Sequence, residues 1–364
     1  MKLKDIISII EDYAPLALQE SYDNAGLVVG SSNMEVNKAL ISFDVTEEVI
    51  DEAIKIGANL IISHHPIIFS GIKKLNGSNY VERIVIKAIK NDIALYAAHT
   101  NLDNVINGTN KILAEKLNLK NIKTLSPQKN LLNKLVTYIP VDYKEKVQQA
   151  IFEAGAGHIG KYDSCSFEAK GIGTFRAQEG STPFVGNIGK MHNEAEIRLE
   201  TIFPSHIKSK VITALLSAHP YQEVAYDIYK IENNISNIGA GIIGELSEPQ
   251  EELVFLNNVK EITKAEGIKY TNLLNKKVRK VAICGGSGAF LISKAKRAGA
   301  DVYITGDIKY HEFFDADNSI LVADIGHYES EHFTNTLLLS IIKEKLPTFA
   351  IQISDISTNP VNYL

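Results

Sequence analysis

The sequence predicts an α/β protein made of two pseudo-symmetric α/β halves around one core, with a ferredoxin-like α+β domain inserted between them. Three observations predict this. Both outer thirds alternate helical and strand patterns, the middle third changes to a repeated β-α-β pattern, and the first third resembles the last.

Taken in order, "LKDIISIIEDYA" spaces its apolar residues at i, i+3, i+4 and predicts a helix. "KALISFDVT" reads as a strand. "TEEVIDEAIKIG" reads as a helix, with Thr46 as N-cap and Gly57 as the stop. "ANLIISHH" is apolar on both faces, as buried parallel strands are. A helix "VERIVIKAIKND", a strand "IALYAAHT" and a helix "GTNKILAEKLNL" complete the first third. The middle domain is placed at 128–236 by its turn-prone flanks "SPQKN" and "ENNISN". It contains a strand "KLVTYIP", a helix "YKEKVQQAIFEAGA", a strand pair in "YDSCSFEAKGIGTFRA", a strand "EAEIRLETIFP", a helix "SHIKSKVITALLSAHP" and a strand "EVAYDIYKI". The halves are therefore 1–127 and 237–364. In the second half, "KVAICGG", "DVYITGD" and "SILVADIGH" are strands, and "GAFLISKAKRAGA" and "SEHFTNTLLLSIIKEKL" are helices.

Composition narrows the function. A chain of 364 residues exceeds one ordinary core, so two or three domains are expected. A net charge of −5 excludes a global basic field for nucleic acid. Cys165 and Cys284, the 2 cysteines, exclude a disulfide scaffold and a four-cysteine zinc site. "MKLKDIISIIEDYAP" is broken by Asp5, Glu11 and Asp12 and does not read as a signal peptide, and no apolar run is long enough to span a bilayer. A cytoplasmic protein without a membrane partner is the simplest reading.

Chemistry enters through "IISHHPIIFSG", where His64 and His65 end an apolar strand. One histidine there is ordinarily a core or turn residue. The repeat changes that reading. Aligning "AIKIGANLIISHHP" with "AKRAGADVYITGDI" sets Gly306 opposite His64 and Asp307 opposite His65. Aligning "IALYAAHTNLD" with "ILVADIGHYESE" sets His99 opposite His327, each followed four residues later by a carboxylate, Asp103 and Glu331. Two such halves would gather these seven residues at the carboxyl ends of their strands, where open α/β sheets place their sites. Imidazoles and carboxylates without thiolates suit zinc, iron or manganese, and a bridging carboxylate suits two ions.

The segments "SYDNAGLVVG", "ISHHPIIFSG", "HTNLDN", "ITGDIKYHE" and "DIGHYESE" resemble the Nif-three-like family (Ngg-one-interacting factor three), many of whose members carry the name GTP cyclohydrolase I type 2. The middle domain is similar to the PII/CutA-like insert of longer bacterial members. The resemblance implies a toroidal homohexamer with two divalent ions per subunit facing the interior. Its ligands would be His64, His65, Asp103, His327 and Glu331, with Asp103 as bridge. His99 and Asp307 would be acid/base groups or supports of the ligands.

Three activities fit this set. The first is a dinuclear metal-dependent hydrolase, with GTP ring opening and formate release as the reaction the family name implies and a nucleotide as substrate. The second is a metal-handling or regulatory protein with a ligand-sensing insert. The third is a phosphoesterase or nucleic-acid ring, which the net charge does not indicate. Outside the main set, "CGGSG" is a tight strand-to-helix turn or, with Ser287, a phosphate contact. Asp23 and Asn24 form a turn or face the substrate. His158, Cys165, His219 and Glu223 are the insert's candidate ligands, with no spacing that joins them.

Overall fold

The computed structural model of the protein describes residues 1–364. The chain forms two compact units, Met1–Pro127 together with Ser236–Leu364, and Gln128–Ile235.

The first unit holds two sheets. One orders its strands Gly26–Val29, Ala94–Ala97, Leu60–Ser63, Ala39–Ser42 and Ile351–Ile353. All its neighbours run parallel except the edge strand Gly26–Val29. The three central strands are buried along their whole length, which is why they read as unbroken apolar runs. Helix Leu3–Tyr13 lays Leu3, Ile6 and Ile10 on one face of this sheet, and helices Glu47–Ile56 and Tyr80–Lys90 cover the other. Thr46 caps its helix by accepting from the Val49 amide at 3.3 Å, and Gly57 ends it in the left-handed region at φ 71°.

The second sheet orders Lys269–Tyr270, Leu321–Asp324, Val302–Gly306, Lys277–Ser287, Gly239–Glu251 and Lys120–Pro127. Its three successive strands Lys277–Ser287, Val302–Gly306 and Leu321–Asp324 are parallel, matching the parallel core of the first sheet. The halves also exchange strands. Lys120–Pro127, from the first third, pairs with Gly239–Glu251, and Ile351–Ile353, from the last third, pairs with Ala39–Ser42. The α/β class holds, with each half completed by a strand of the other. The helical pattern expected after Ser330 breaks into His327–Glu331 and Thr334–Lys345. No helix is long and apolar enough to cross a membrane.

The second unit is a four-stranded antiparallel sheet in the order Ser166–Arg176, Met191–Pro204, Leu132–Pro140, Tyr226–Ile231. Helices Lys144–Glu153 and Lys208–Ala218 pack Val147, Ile151, Val211 and Leu215 against Leu135, Ile139, Leu199 and Phe203. This is the β-α-β-β-α-β order of a ferredoxin-like domain. The strand pair expected in "YDSCSFEAKGIGTFRA" is one strand, Ser166–Arg176, whose partner is the long Met191–Pro204 strand.

Candidate metal centre

Within the first unit, strand ends deliver the candidate residues. His64 and His65 follow Leu60–Ser63, and their amides both donate to the Phe43 carbonyl at 3.1 Å, which fixes the turn out of the strand. His99 follows Ala94–Ala97 and leads into the short helix Thr100–Asp103. Asp307 follows Val302–Gly306. His327 and Glu331 begin and end one helical turn, so both project from the same face.

Four histidines share one hydrogen-bonding pattern. Nδ1 of His64 donates to the Ala98 carbonyl at 2.8 Å. Nδ1 of His65 donates to Asp44, of His99 to Asp23 and of His327 to Asp307, each at 2.7 Å. Each bond places the proton on Nδ1 and leaves Nε2 as a lone-pair donor.

Two groups of atoms meet at these nitrogens. His64 Nε2 lies 3.7 Å from Asp103 Oδ1 and 3.6 Å from Glu331 Oε2. His327 Nε2 lies 3.1 Å from both His65 Nε2 and Glu331 Oε2, and His65 Nε2 lies 3.5 Å from that oxygen. Glu331 Oε2 thus belongs to both groups, while Asp103 belongs to one. A third convergence joins the ring nitrogens of His64, His65 and His99. Ligand atoms on a tetrahedral ion with bonds of ~2.1 Å stand about 3.4 Å apart, so both groups have the spacing of a metal shell.

A second observation tests the fit. His64 Nε2, Asp103 Oδ1 and Glu331 Oε2 are enclosed and lack a hydrogen-bond partner. Buried polar atoms of a folded protein are otherwise nearly always paired. Three orphans facing one another are accounted for by a cation that each can bind. The donor set is nitrogen and oxygen only. Cys284 lies nearby, but burial pushes its thiol well above the usual range and its S–H points to the Gly285 carbonyl.

Charge in the centre is finely opposed. Burial disfavours an imidazolium at His64, yet Asp103 and Glu331 outweigh it and hold its pKa up at about 9. Burial is likewise outweighed at His327, where Asp307 and Glu331 raise the pKa to about 10. Glu331 is buried, but His327, His64 and His65 hold its carboxyl well below the usual range. Asp103 goes the other way, raised by burial against the pull of His64. Asp23 is pushed up by burial but brought down to about 2 by hydrogen bonds from His99 and Thr100.

The centre opens into a cavity of about 370 Å³ that reaches His65, His99, Asp103, His327 and Glu331. A second cavity, of about 590 Å³, also reaches His65 and His327 and includes Asp44 and Asp307.

All seven residues picked from the repeat are brought to this centre, five with atoms in the two groups and His99 and Asp307 beside them. Asp307 is committed to orienting His327. Asp23, read as a turn or substrate-facing residue, takes its bonds from His99 and from the Thr100 amide and hydroxyl. In "CGGSG" the Gly285 amide is bound by Asn110 and the Gly286 amide by Ser330, while Ser287, the residue expected to contact a phosphate, lines the 370 Å³ cavity. Those glycines serve another end. A Cβ on Gly285 would lie 2.7 Å from Glu331 Cγ, and one on Gly286 would lie 2.6 Å from Glu331 Oε1, so their bareness is the space Glu331 occupies.

Asp44 and Thr358 were not picked from the sequence. Asp44 sits just past the Ala39–Ser42 strand, so the strand-end rule that found the others could have found it. Thr358 donates to Asp44 at 2.7 Å from the far end of the chain, and no sequence signal marks it.

In the second unit the four candidates are not brought together as a metal site. Both ring nitrogens of His219 are used, by the Tyr138 carbonyl and the Tyr221 amide. Burial lowers its pKa, so it is a neutral structural histidine. Cys165 bonds the Asp163 carbonyl, His158 borders one cavity and Glu223 another.

Comparison with known proteins agrees with the fold. The profile of the family described as Duf34/NIF3 (NGG1p interacting factor 3) matches residues 1–360. A Bacillus subtilis (strain 168) protein named GTP cyclohydrolase 1 type 2 homolog is 39% identical over 366 residues, covering 99% of this chain and 98% of the relative. A crystal structure of a Bacillus cereus protein related to NIF3 superposes with a TM-score of 0.86 at 41% identity, covering 100% of this chain and 99% of that one. A Staphylococcus aureus structure matches with a TM-score of 0.79 at 31% identity, covering 100% and 99%. With a family profile over residues 1–360 and whole-length relatives in agreement, the chain belongs to the Duf34/NIF3 (NGG1p interacting factor 3) family.

Proposed function

We propose that the protein is a hydrolase working with two divalent ions, one held by His64, Asp103 and Glu331 and the other by His65, His327 and Glu331. The observation that carries this is the single oxygen, Glu331 Oε2, set 3.6 Å from His64 Nε2 and 3.1 Å from His327 Nε2. Glu331, which stands in both groups, would be the residue shared by the two ions, the role that the family resemblance gives to Asp103. Ions bound there would supply Lewis-acid activation of water and of the group attacked.

The chain's own residues do the rest. Asp44, Asp23 and Asp307 lock three imidazoles in one tautomer, so that no ring turns away during turnover. His99, its Nδ1 proton held by Asp23, offers Nε2 in the cavity as the base that takes a proton from water and returns it to the leaving nitrogen. Ring opening of a purine fits these parts. One water adds its oxygen to C8, a ring C–N bond breaks, and the freed nitrogen takes the proton, leaving a formamide. A second water releases formate and leaves the amine.

The relatives' name, GTP cyclohydrolase 1 type 2 homolog, makes this the first reaction to test. Formate release should be measured with zinc-, manganese- and iron-loaded protein. Turnover in at least one form is expected. Reversible loading with no turnover of any ring substrate would replace this reading with metal handling. The resemblance also implies a homohexamer, which sedimentation showing a stable monomer would remove, and the scarcity of cysteine makes the cytoplasm the simplest site of action.

A further inference from the structure

A cavity of about 720 Å³, larger than either cavity at the metal centre, is lined only by residues of the second unit. Glu196 stands in its wall with 8% of its surface exposed. A carboxylate buried this far is ordinarily held by a cationic partner. Glu196 forms no ion pair, and its side-chain bond is the Tyr221 hydroxyl, which donates to Oε1 at 2.8 Å. Three cationic residues line the same cavity, and the fold keeps each of them from it. Arg198 is taken by Glu200, at 2.8 Å. Lys170 and Arg176 lie on the edge strand Ser166–Arg176, where the register partner of Glu196 is Gly171. Side chains alternate along a strand, so Gly171, Gly173 and Phe175 share the face of Glu196 while Lys170 and Arg176 take the other.

That face is cleared for the carboxylate. A Cβ on Gly173 would lie 2.0 Å from Glu196 Oε2, so the oxygen occupies room that only glycine leaves. Aromatic rings surround it. Phe175, Phe184 and Tyr221 line the cavity, with the Tyr221 centroid 6.2 Å from each of the other two. The Thr182 amide donates to Gln222 Oε1 at 2.9 Å, which ties the loop of Phe184 to the loop of Tyr221. Ring faces and a carboxylate both attract positive charge. Glu223, exposed on the same lining, adds to that attraction. A divalent cation such as calcium takes about six or more oxygens, and one buried carboxylate is too few. An ammonium with an apolar body uses the charge and the rings together.

We propose that this cavity binds a small organic ammonium ion, whose N–H groups donate to Glu196 and whose apolar body lies among Phe175, Phe184 and Tyr221. The volume is within the range of small-ligand sites, and apolar walls around a few placed polar groups are their usual make-up. The site gives the ligand-sensing role considered for the insert a place and a ligand class. It does not rest on the hydrolase reading, whose residues all belong to the first unit.

The test is calorimetric binding of benzylammonium and of benzyl alcohol, its neutral analogue of similar shape, to the full-length protein. Benzylammonium is expected to bind about tenfold or more tighter than the alcohol. Glu196→Gln keeps the size and an acceptor for Tyr221, and is expected to erase that preference. Its Tm should be unchanged or higher, because a buried charge without a cationic partner is removed. Phe184→Ala is expected to weaken benzylammonium by about threefold or more. Equal binding of the two probes overturns the proposal, as does a Glu196→Gln protein that keeps the preference. So does a Phe184→Ala protein that keeps its affinity and changes only its sedimentation coefficient, since the ring would then face another copy. Calcium that displaces benzylammonium from the wild-type protein, but not from Glu196→Gln, makes the site one for inorganic cations and also overturns it. Absence of formate release bears on the first unit alone and leaves this proposal standing.

Discussion

Two carboxylates in the centre have unequal work, and substitution can separate them. Glu331 Oε2 faces both nitrogen groups, while Asp103 Oδ1 faces only His64 among them. Glu331→Gln should therefore lose both ions, and Asp103→Asn should lose at least the ion beside His64. Both variants keep side-chain size while removing the charge that neutral imidazoles cannot supply. Lys309→Ala, two residues from Asp307 but with no ligand role, should keep both ions. Elemental analysis reads the result, and Asp103→Asn with unchanged metal and only a lower Tm would make Asp103 a structural residue. The same groups set a pH dependence. His64 and His327 are raised from 6.5 to about 9 and about 10. In metal-free protein their stabilising contribution is complete below pH 6.5 and is lost as pH rises through those higher values. The lowered carboxyls of Glu331 and Asp23 contribute above their ordinary range and lose that as pH falls. Metal needs both imidazoles neutral, so loading near pH 7.5 should release protons, and affinity should climb about tenfold per pH unit for each proton displaced. Calorimetry in buffers of different ionisation heat counts those protons, and a count of zero would show that they do not hold the empty shell.

At the scale of elements, the glycines after Cys284 decide where Glu331 lies. Gly286 has φ 59° and Gly285 does not have a positive φ, yet a Cβ on either meets Glu331. Gly285→Ala should displace Glu331 with little backbone strain. Gly286→Ala should add about 1–2 kcal/mol of left-handed strain. Both should lower metal content, and denaturant unfolding should separate them, with Gly286→Ala the less stable. If both variants keep two ions, Glu331 has room that the backbone does not suggest. The elements themselves were legible because the central strands of the first unit are buried on both faces and each covering helix on one. Unbroken apolar runs such as "NLIIS" and caps such as Thr46 and Gly57 are written locally. The seven site residues were legible for a related reason, since they follow strands that the repeat aligns. What sequence could not give was the exchange of Lys120–Pro127 and Ile351–Ile353 between halves, because edge pairing depends on partners more than 100 residues away. The supporting bonds were hidden likewise: Thr358 reaches Asp44 across 314 residues. Thr358→Val should weaken metal binding through His65 by about tenfold or more while leaving the fold intact. Unchanged affinity would reduce the tail to packing.

For the whole molecule, the question is how a second unit of 108 residues, Gln128–Ile235, can sit inside the chain of the first without breaking it. The answer lies in register. Pro127 and Gly239 are paired residues on neighbouring antiparallel strands, so the chain leaves and re-enters the first unit at the two sides of a would-be hairpin. Ile106 and Gly239 also anchor the returning chain, through bonds between the Ile106 amide and the Asn237 carbonyl and between the Gly239 amide and the Asn104 carbonyl. The inserted unit has its own core, of Leu135, Ile139, Phe203 and Leu215 among others, and the candidate metal ligands all lie in the first unit. Joining Pro127 to Ser236 through two glycines should therefore close a short hairpin, whose loop entropy differs little from that of an ordinary turn. The shortened protein should fold cooperatively and bind the same number of ions per subunit as the full chain. If the insert is a sensor, only the response of activity to an added effector should disappear. Calorimetric unfolding and elemental analysis together give the answer. A soluble, folded product without metal would mean that the second unit holds the centre in shape, despite contributing no residue to it.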